Sequence, residues 1–171
     1  MFTLFRNTLY IRIQPERIAI LHVESDRELI DIPAPAVEMK GKQSNIVAVG
    51  QAAIALTGKT DISVRNGFRH PRTLLADFSY ADRALRYLVK QALPKSWLVT
   101  SPIIIMHPQA LLEGGLTAIE TRAFAELGAS AGARRVYGWV GAELTREELI
   151  ALNFSCLEGQ LLFPWQAPSD T

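Results

Sequence analysis

The sequence predicts an α/β fold with one mixed sheet, which begins as an antiparallel meander and carries helices on its faces. In the centre of the chain, residues 102–137, two short apolar runs flank a helical segment at residues 117–131. The first quarter of the chain instead has short runs of alternating polarity, which is typical of antiparallel strands. Isoleucine suits a strand that is covered on both faces, so residues 103–105 are predicted to be a central strand.

Three strands are predicted to open the chain. Pro15 interrupts the alternating pattern between the first two, as a hairpin turn does, and Pro33 and Pro35 follow the third. The predicted strands cover residues 8–14, 17–23 and 28–32.

The next region mixes short elements with loops. Residues 40–45 are polar and are predicted to be a turn, followed by a short strand at 46–49 and a short helix at 51–56. Residues 58–72 are irregular and basic. They have neither a glycine pattern nor a helix start, so we interpret them as a solvated loop rather than a phosphate site.

Two longer helices have marked ends. Ser79 is predicted to cap a helix over residues 80–93. Thr117 and Glu120 have the capping-box spacing at the start of the second helix, and Gly132 suits a left-handed residue just after its end. Apolar residues recur on one face of each helix: Ala81, Leu85, Leu88, Val89 and Ala92 in the first, and Ile119, Ala123, Leu127 and Ala131 in the second.

The chain is predicted to hold a single domain over residues 1–152 and a tail over residues 153–171. Thr145 and Glu148 repeat the capping-box spacing and begin the last short helix of the domain. The tail is apolar over residues 154–165, so we expect it to pack on the domain as an added strand or on a partner, as in a homodimer. The order of elements, three strands and then a β-α-β-α series, suits a ribonuclease-H-like fold.

The composition narrows the class of protein. Of 171 residues, 49% are hydrophobic and 20% are charged, and the net charge of +1 gives no reason to expect a nucleic-acid partner. The single cysteine, Cys156, excludes an internal disulfide and a cysteine-based zinc site, and we interpret it as a small core residue.

The sequence gives no sign of a membrane span. No apolar run approaches the roughly 18 residues that a spanning helix needs, and no signal-peptide pattern opens the chain, so we expect a cytoplasmic protein. Phe2, Leu4 and Phe5 offer a weak peripheral membrane contact at most. An extension of the first strand is the competing interpretation of these residues.

Four blocks of sequence resemble a known family. Residues 46–50, 74–78, 120–123 and 131–137 are similar, in order and spacing, to the first half of MreB, the bacterial actin-like protein of rod-shape determination. The resemblance covers roughly residues 8 to 143. It implies the first domain of an actin-like ATPase with a ribonuclease-H-like core. Family members are longer, so the resemblance also implies that the second domain is missing here.

The departures from the family concern its first phosphate-binding turn. In the family an Asp-Leu-Gly-Thr turn holds nucleotide phosphate near a metal ion, and the matching positions here are Arg12, Ile13, Gln14 and Pro15. A cation replaces the aspartate, the glycine has gained a side chain, and proline offers neither a hydroxyl nor an N–H. No second phosphate motif occurs in the chain. The comparison with the family therefore predicts a pseudo-ATPase without a nucleotide cofactor or a metal site.

Three residues are candidates for a remaining site. Glu120 matches the family glutamate that positions the attacking water, but its capping-box position gives it a structural role, so no catalytic residue is predicted. Arg12 could bind a phosphate, and His107 follows a strand end, where it could belong to a binding cleft or form a turn. In place of the family's Glu-Glu-Pro the chain has Val140-Gly-Ala142, which is expected to remove acidity from the cleft.

Two functions remain open at this point. The first is a non-catalytic interaction module that works beside full-length MreB or other morphogenesis proteins in cell-shape or cytoskeletal organisation. The alternative is a residual nucleotide-binding or anion-binding protein that needs a separate second half, using Arg12 and the loop after the central strand. A degenerate gene product that folds without a selected role is a third possibility.

Overall fold

The computed structural model describes residues 6–96, 100–154 and 158–166. The helices are α1 (Gln51–Ile54), α2 (Phe78–Ala92), α3 (Ala118–Ser130) and α4 (Arg146–Ala151). The strands are β1 (Thr8–Gln14), β2 (Arg17–His22), β3 (Arg27–Asp31), β4 (Pro35–Lys40), β5 (Gln43–Val49), β6 (Ile62–Val64), β7 (Ile103–Pro108), β8 (Arg135–Gly141) and β9 (Gly159–Gln166).

The main sheet has six strands in the order β3-β2-β1-β7-β8-β9. β1, β2 and β3 form the antiparallel meander, and β7 and β8 run parallel to β1. β9 pairs antiparallel with β8 and forms one edge of the sheet. A second sheet, in the order β5-β4-β6, is antiparallel throughout. The predicted α/β class, with a mixed sheet, an N-terminal meander and helices on its faces, is confirmed.

Helices cover both faces of the main sheet. On one face α2 and α3 pack on the side chains of β1, β2 and β7, and this larger core includes Ile11, Leu85 and Phe124. On the other face a smaller cluster forms around Tyr10 and Trp139, to which α4 contributes Leu149. Because the central strands are covered on both sides, every residue of β7 is buried, as the isoleucine run predicts.

The small sheet corrects the sequence prediction in two places. The turn predicted over residues 40–45 is confined to residues 41–42, because β4 reaches Lys40 and β5 begins at Gln43, and Gly41 in this tight connection has a positive φ of 62°. In the basic loop, β6 adds a third strand. Polarity hid the start of β5, since burial alternates along this strand and the side chains of Gln43 and Asn45 face solvent.

The helix starts agree with the prediction in one case and differ in the other. The capping box of α3 is present, and Gly132 has a φ of 94°, as predicted. The N-cap of α2 is Asp77 rather than Ser79, because the Asp77 carboxylate accepts a hydrogen bond from the Tyr80 N–H at 3.2 Å. The prediction of Ser79 as the cap is therefore wrong by two residues.

The buried face of α3 also differs from the prediction. Its inward residues are Phe124, Leu127 and Gly128, whereas Ile119 is 81% exposed. Gly128 allows the helix to approach β8, since a Cβ there would lie 2.6 Å from Cγ1 of Val136. The four-residue repeat of apolar residues therefore misplaced the core-facing side of this helix, and only Leu127 of that repeat is fully buried.

Candidate functional site

The candidate residues Arg12 and His107 lie side by side at the carboxyl ends of two parallel strands. β1 and β7 are adjacent, and in their register Arg12 is opposite His107. Open α/β folds place their ligands at this end of the sheet, outside the carboxyl ends of the strands. His107 belongs to β7, which continues through Pro108, so the loop expected to begin at His107 begins after the strand instead.

Arg12 is held between two carboxylates. Its Nη1 donates a hydrogen bond to Oε2 of Glu143 at 2.9 Å, and its Nη2 donates to Oε1 of Glu28. The guanidinium carbon also lies 5.6 Å from the centre of the Tyr10 ring. The Arg12 side chain is only 15% exposed, and its Nε is buried without a hydrogen-bond partner among the described residues. Both terminal nitrogens of this arginine therefore already have anionic partners within the chain.

Two glutamine side chains extend this network across the carboxyl ends of β1 and β7. Nε2 of Gln14 donates to Oε1 of Gln109 at 3.2 Å, and Nε2 of Gln109 donates to Oε1 of Glu143 at 3.0 Å. The hydrogen bond from Gln109, with a further contribution from Arg12, lowers the pKa of the Glu143 carboxyl below its usual value. Each oxygen of this carboxylate therefore accepts a hydrogen bond from a different strand end.

Two carboxylates at these strand ends correct the expectation that the cleft has lost its acidic residues. The replacement of Glu-Glu-Pro by Val140-Gly-Ala142 was expected to remove acidity, yet the next residue, Glu143, places a carboxylate here, and Glu28 on β3 places another. Sequence reasoning missed both glutamates. Neither lies in a recognisable motif, and their partner Arg12 is 131 and 16 residues away in the chain.

His107 is buried and fully hydrogen-bonded. Its Nε2 lies 3.1 Å from the carbonyl oxygen of Gly141, which can only accept, so Nε2 carries the proton. Nδ1 is then the acceptor for the Tyr10 hydroxyl at 2.5 Å, and that hydroxyl oxygen accepts from the Leu144 N–H at 3.2 Å. Burial lowers the pKa of His107 below 6.5 and raises the pKa of Tyr10 to about 12. This histidine is neutral and ties β7 and β1 to the loop after β8.

Glu120 is engaged at the start of α3. One carboxylate oxygen accepts hydrogen bonds from the Thr117 N–H at 2.9 Å and from the Thr117 hydroxyl at 2.8 Å, and the other accepts from the Thr73 hydroxyl at 2.7 Å. The backbone bond from Thr117 and the bond from Thr73 lower the pKa of this carboxyl. The predicted capping box is thus in place. None of these partners is Arg12 or His107, so the glutamate stands apart from the network at the strand ends.

The turn between β1 and β2 is tied to the basic loop. Nδ2 of Asn66 donates a hydrogen bond to the carbonyl oxygen of Pro15 at 2.5 Å. Arg69, also in that loop, forms an ion pair with Glu16 at 3.0 Å. The turn that matches the family's phosphate-binding turn is therefore braced by side chains of this chain.

A cavity of about 430 Å³ lies at the opposite ends of the strands. Its lining includes His22, which is 3% exposed. The ring of His22 is hydrogen-bonded to Oδ1 of Asn7 at 3.1 Å and to Oγ of Ser25 at 2.7 Å. This histidine ties β2 to the residue before β1 and to the turn after β2.

Several sequence interpretations concern metal, membrane or cysteine chemistry. Within residues 6–96, 100–154 and 158–166, no three His, Cys, Asp or Glu residues are placed to hold a metal ion. Over the same ranges, no helix has the length and apolar character of a membrane span. Phe2, Leu4, Phe5 and Cys156 lie outside the described residues.

Comparisons with known proteins place this chain in a family. A family model described as "MreB/Mbl protein" matches residues 19–144. The cell shape-determining protein MreB of Pasteurella multocida (strain Pm70) is 29% identical over 137 residues, which is 78% of this chain and 38% of that protein. The corresponding protein of Haemophilus influenzae (strain ATCC 51907 / DSM 11121 / KW20 / Rd) is 28% identical over 137 residues, which is again 78% of this chain and 38% of that protein. The chain thus spans 38% of the length of these relatives.

Solved structures agree on the fold. MreB5 of Spiroplasma citri bound to AMPPNP superposes with a TM-score of 0.58 at 18% identity, over 77% of this chain and 37% of that one. The same protein bound to ADP gives a TM-score of 0.57. At this identity the likeness establishes an actin-like fold of the MreB type and nothing about ligands. With the family model matching most of its length, the chain belongs to the MreB/Mbl family.

Proposed function

We propose that this chain is a non-catalytic, actin-fold interaction module that acts in the cytoplasm in the organisation of cell shape. In this proposal it works by contacting other proteins, with a full-length MreB as the first candidate partner, and it neither binds nor hydrolyses ATP. The family and the fold support the cell-shape context. The chemistry of the strand-end network supports the loss of nucleotide function.

The observation that carries the proposal is the position of Arg12 between Glu28 and Glu143. A metal-bound phosphate needs free carboxylate or hydroxyl ligands for the metal and free N–H groups for the phosphate. Here a guanidinium takes both carboxylates, and Pro15 has no N–H to offer. The residues present therefore do not fit a magnesium-nucleotide pair.

The charge of the network argues the same way. One arginine and two glutamates leave an excess negative charge beside the strand ends, which repels a polyphosphate. The arginine cannot attract a phosphate without giving up charge-assisted hydrogen bonds that it already makes. His107 offers no free donor either, because its Nε2–H is bonded to Gly141. These contacts favour an interaction module over the alternative of a residual anion-binding protein.

An ATP hydrolysis assay with magnesium tests the catalytic half of the proposal. We expect phosphate release no faster than in the buffer, both for the unaltered chain and for Glu120→Gln. A magnesium-dependent rate in the unaltered chain that the Glu120→Gln substitution abolishes would refute the proposal. Glu120→Gln is informative here because it changes one carboxylate oxygen while preserving size.

A co-sedimentation assay tests the interaction half. We expect the chain to pellet with polymerised full-length MreB, such as the Pasteurella multocida relative, and to stay in the supernatant without it. The matched control is an unrelated globular protein of similar mass. Recovery of the chain in the supernatant at saturating polymer would contradict a role beside MreB.

A further inference from the structure

The two edges of the main sheet differ in charge. The β3 edge carries three charged residues in five, Arg27, Glu28 and Asp31, and such charges discourage pairing with another strand. β9, at the other edge, has the sequence GQLLFPWQ and carries no charge. An eight-residue uncharged edge strand is a template for pairing with a further strand. Charge therefore protects the sheet against strand addition at the β3 edge only.

The inner side of β9 is well fixed, and its outer side is open. It pairs with β8 from Gly159 to Gln166, with one irregularity at Leu162, and Phe163 packs against the larger core. On the outer side, the backbone groups of Gly159–Gln166 have no partner within the part of the chain that the structure describes. Leu161 is 37% exposed and is among the exposed large apolar residues of the molecule. The open edge thus offers both unpaired backbone groups and an apolar side chain.

We propose that β9 pairs with β9 of a second copy of this chain, antiparallel about a two-fold axis at Leu161. Antiparallel self-pairing is isologous, so each residue of one copy meets an uncharged residue of the other. The net charge of +1 per chain adds little long-range repulsion between copies. Pro164 has no N–H, which limits the pairing to residues 159–163 and places Leu161 opposite the partner's Leu161. The result is a continuous sheet of twelve strands.

The two edges of the small sheet are also uncharged, but they are less available for pairing. β5 is an edge of the small sheet, but α2 lies beside it, and Nη2 of Arg83 donates a hydrogen bond to Oγ of Ser44 at 3.0 Å. β6, at the opposite edge, has only three residues. The proposal goes beyond the proposed function and does not depend on it, since it concerns self-association and not the strand-end network.

Light scattering after size-exclusion chromatography, over a dilution series, tests the dimer. We expect the unaltered chain to approach twice 18.9 kDa at high concentration. Leu161→Lys should raise the dimer dissociation constant more than about tenfold, because it places two like charges opposite each other. Ile30→Lys is the matched control, since Ile30 is an exposed aliphatic residue at the charged edge, and it should leave the mass unchanged. A monomer at all concentrations, or equal effects of the two substitutions, would overturn the proposal.

Disulfide trapping gives a second readout that does not require Leu161→Lys to fold. In a Cys156→Ser background, Leu161→Cys should form a covalent dimer on mild oxidation, since directly opposed residues of antiparallel strands have Cβ atoms about 4.5–5.5 Å apart. Ile30→Cys in the same background should remain monomeric. Trapping through Ile30→Cys, or none through Leu161→Cys, would contradict the assigned edge.

Discussion

Nδ1 of His107 accepts a hydrogen bond from the Tyr10 hydroxyl at 2.5 Å, and this contact joins the two parallel strands at the centre of the sheet. The same hydroxyl accepts from the Leu144 N–H, and the imidazole donates to Gly141. The two side chains therefore hold the loop after β8 in place, directly beside the carboxylate of Glu143.

Removing the Tyr10 hydroxyl should destabilise the fold. Tyr10→Phe leaves the Leu144 N–H and Nδ1 of His107 buried without a partner, so we expect a loss of about 1–3 kcal/mol in the free energy of unfolding. Tyr137→Phe is the control, because the Tyr137 hydroxyl lies in a half-buried position and accepts from Arg135. Urea unfolding should give a loss of at most about 1 kcal/mol for that variant. Equal losses in the two variants would contradict the role given to Tyr10.

Stability should also depend on the protonation of His107. Burial lowers its folded pKa below the value of 6.5, so the unfolded chain binds more protons as the pH falls from 6.5 towards the folded pKa. The contribution of neutral His107 to stability is fully present above pH 6.5. It decreases as the pH falls from 6.5 to the folded pKa, and the loss levels off below that pKa. His107→Gln should reduce the slope of the unfolding free energy below pH 6.5, and a remaining slope is expected because burial also lowers the pKa of His22. Gln160→Ala, at an exposed position without a titratable group, is the control and should leave the slope unchanged.

Arg12 should stabilise the strand ends more than an exposed arginine does. Arg12→Ala leaves Glu28 and Glu143 near each other without their cation, and we expect a cost of about 1–2 kcal/mol in urea unfolding, moderated by the exposure of both glutamates. The control is Arg69→Ala, which breaks an ion pair to Glu16 that is exposed on both sides and should cost at most about 1 kcal/mol. If Glu143→Gln removed none of the Arg12→Ala cost in a double-mutant cycle, the network would not be coupled.

The edge strand β9 should contribute to the stability of the domain. The ring of Phe163 lies over Gly138 and packs against the larger core, so Phe163→Ala should cost about 2–3 kcal/mol in thermal or urea unfolding. Ending the chain after Leu152 removes the whole strand and should cost more. Gln160→Ala, at an exposed position, is the control. Unchanged melting of the shortened chain would show that β9 is dispensable.

The features that were predicted from the sequence are those that local spacing determines. The Thr117 and Glu120 capping box depends on residues three apart, and a run of isoleucines predicts the buried strand β7. β4 and the first residues of β5 were missed because the end of β4 and the start of β5 expose many of their side chains, so polar residues there resemble a turn. The exposure of Ile119 follows from the way α3 lies on β8 at Gly128, which no helix-face pattern contains.

The candidate site was predictable only in part. The proposed loss of the phosphate turn is inferred from Arg12 and Pro15 once the family resemblance is recognised. The partners of Arg12 cannot be predicted from the sequence, because Glu28 lies on β3 and Glu143 lies in the loop after β8. Register and topology bring these three residues together. A sequence pattern cannot predict this contact unless the strand order is known.

Isothermal titration with ATP in the presence of magnesium tests the central claim most directly. With Arg12 bound by two glutamates and Pro15 in the turn, we expect no saturable heat from ATP, ADP or inorganic phosphate, and Arg12→Asp alone should not restore binding. A full-length MreB serves as the positive control. Saturable, magnesium-dependent binding of ATP to the unaltered chain, lost in Arg12→Ala, would contradict the account.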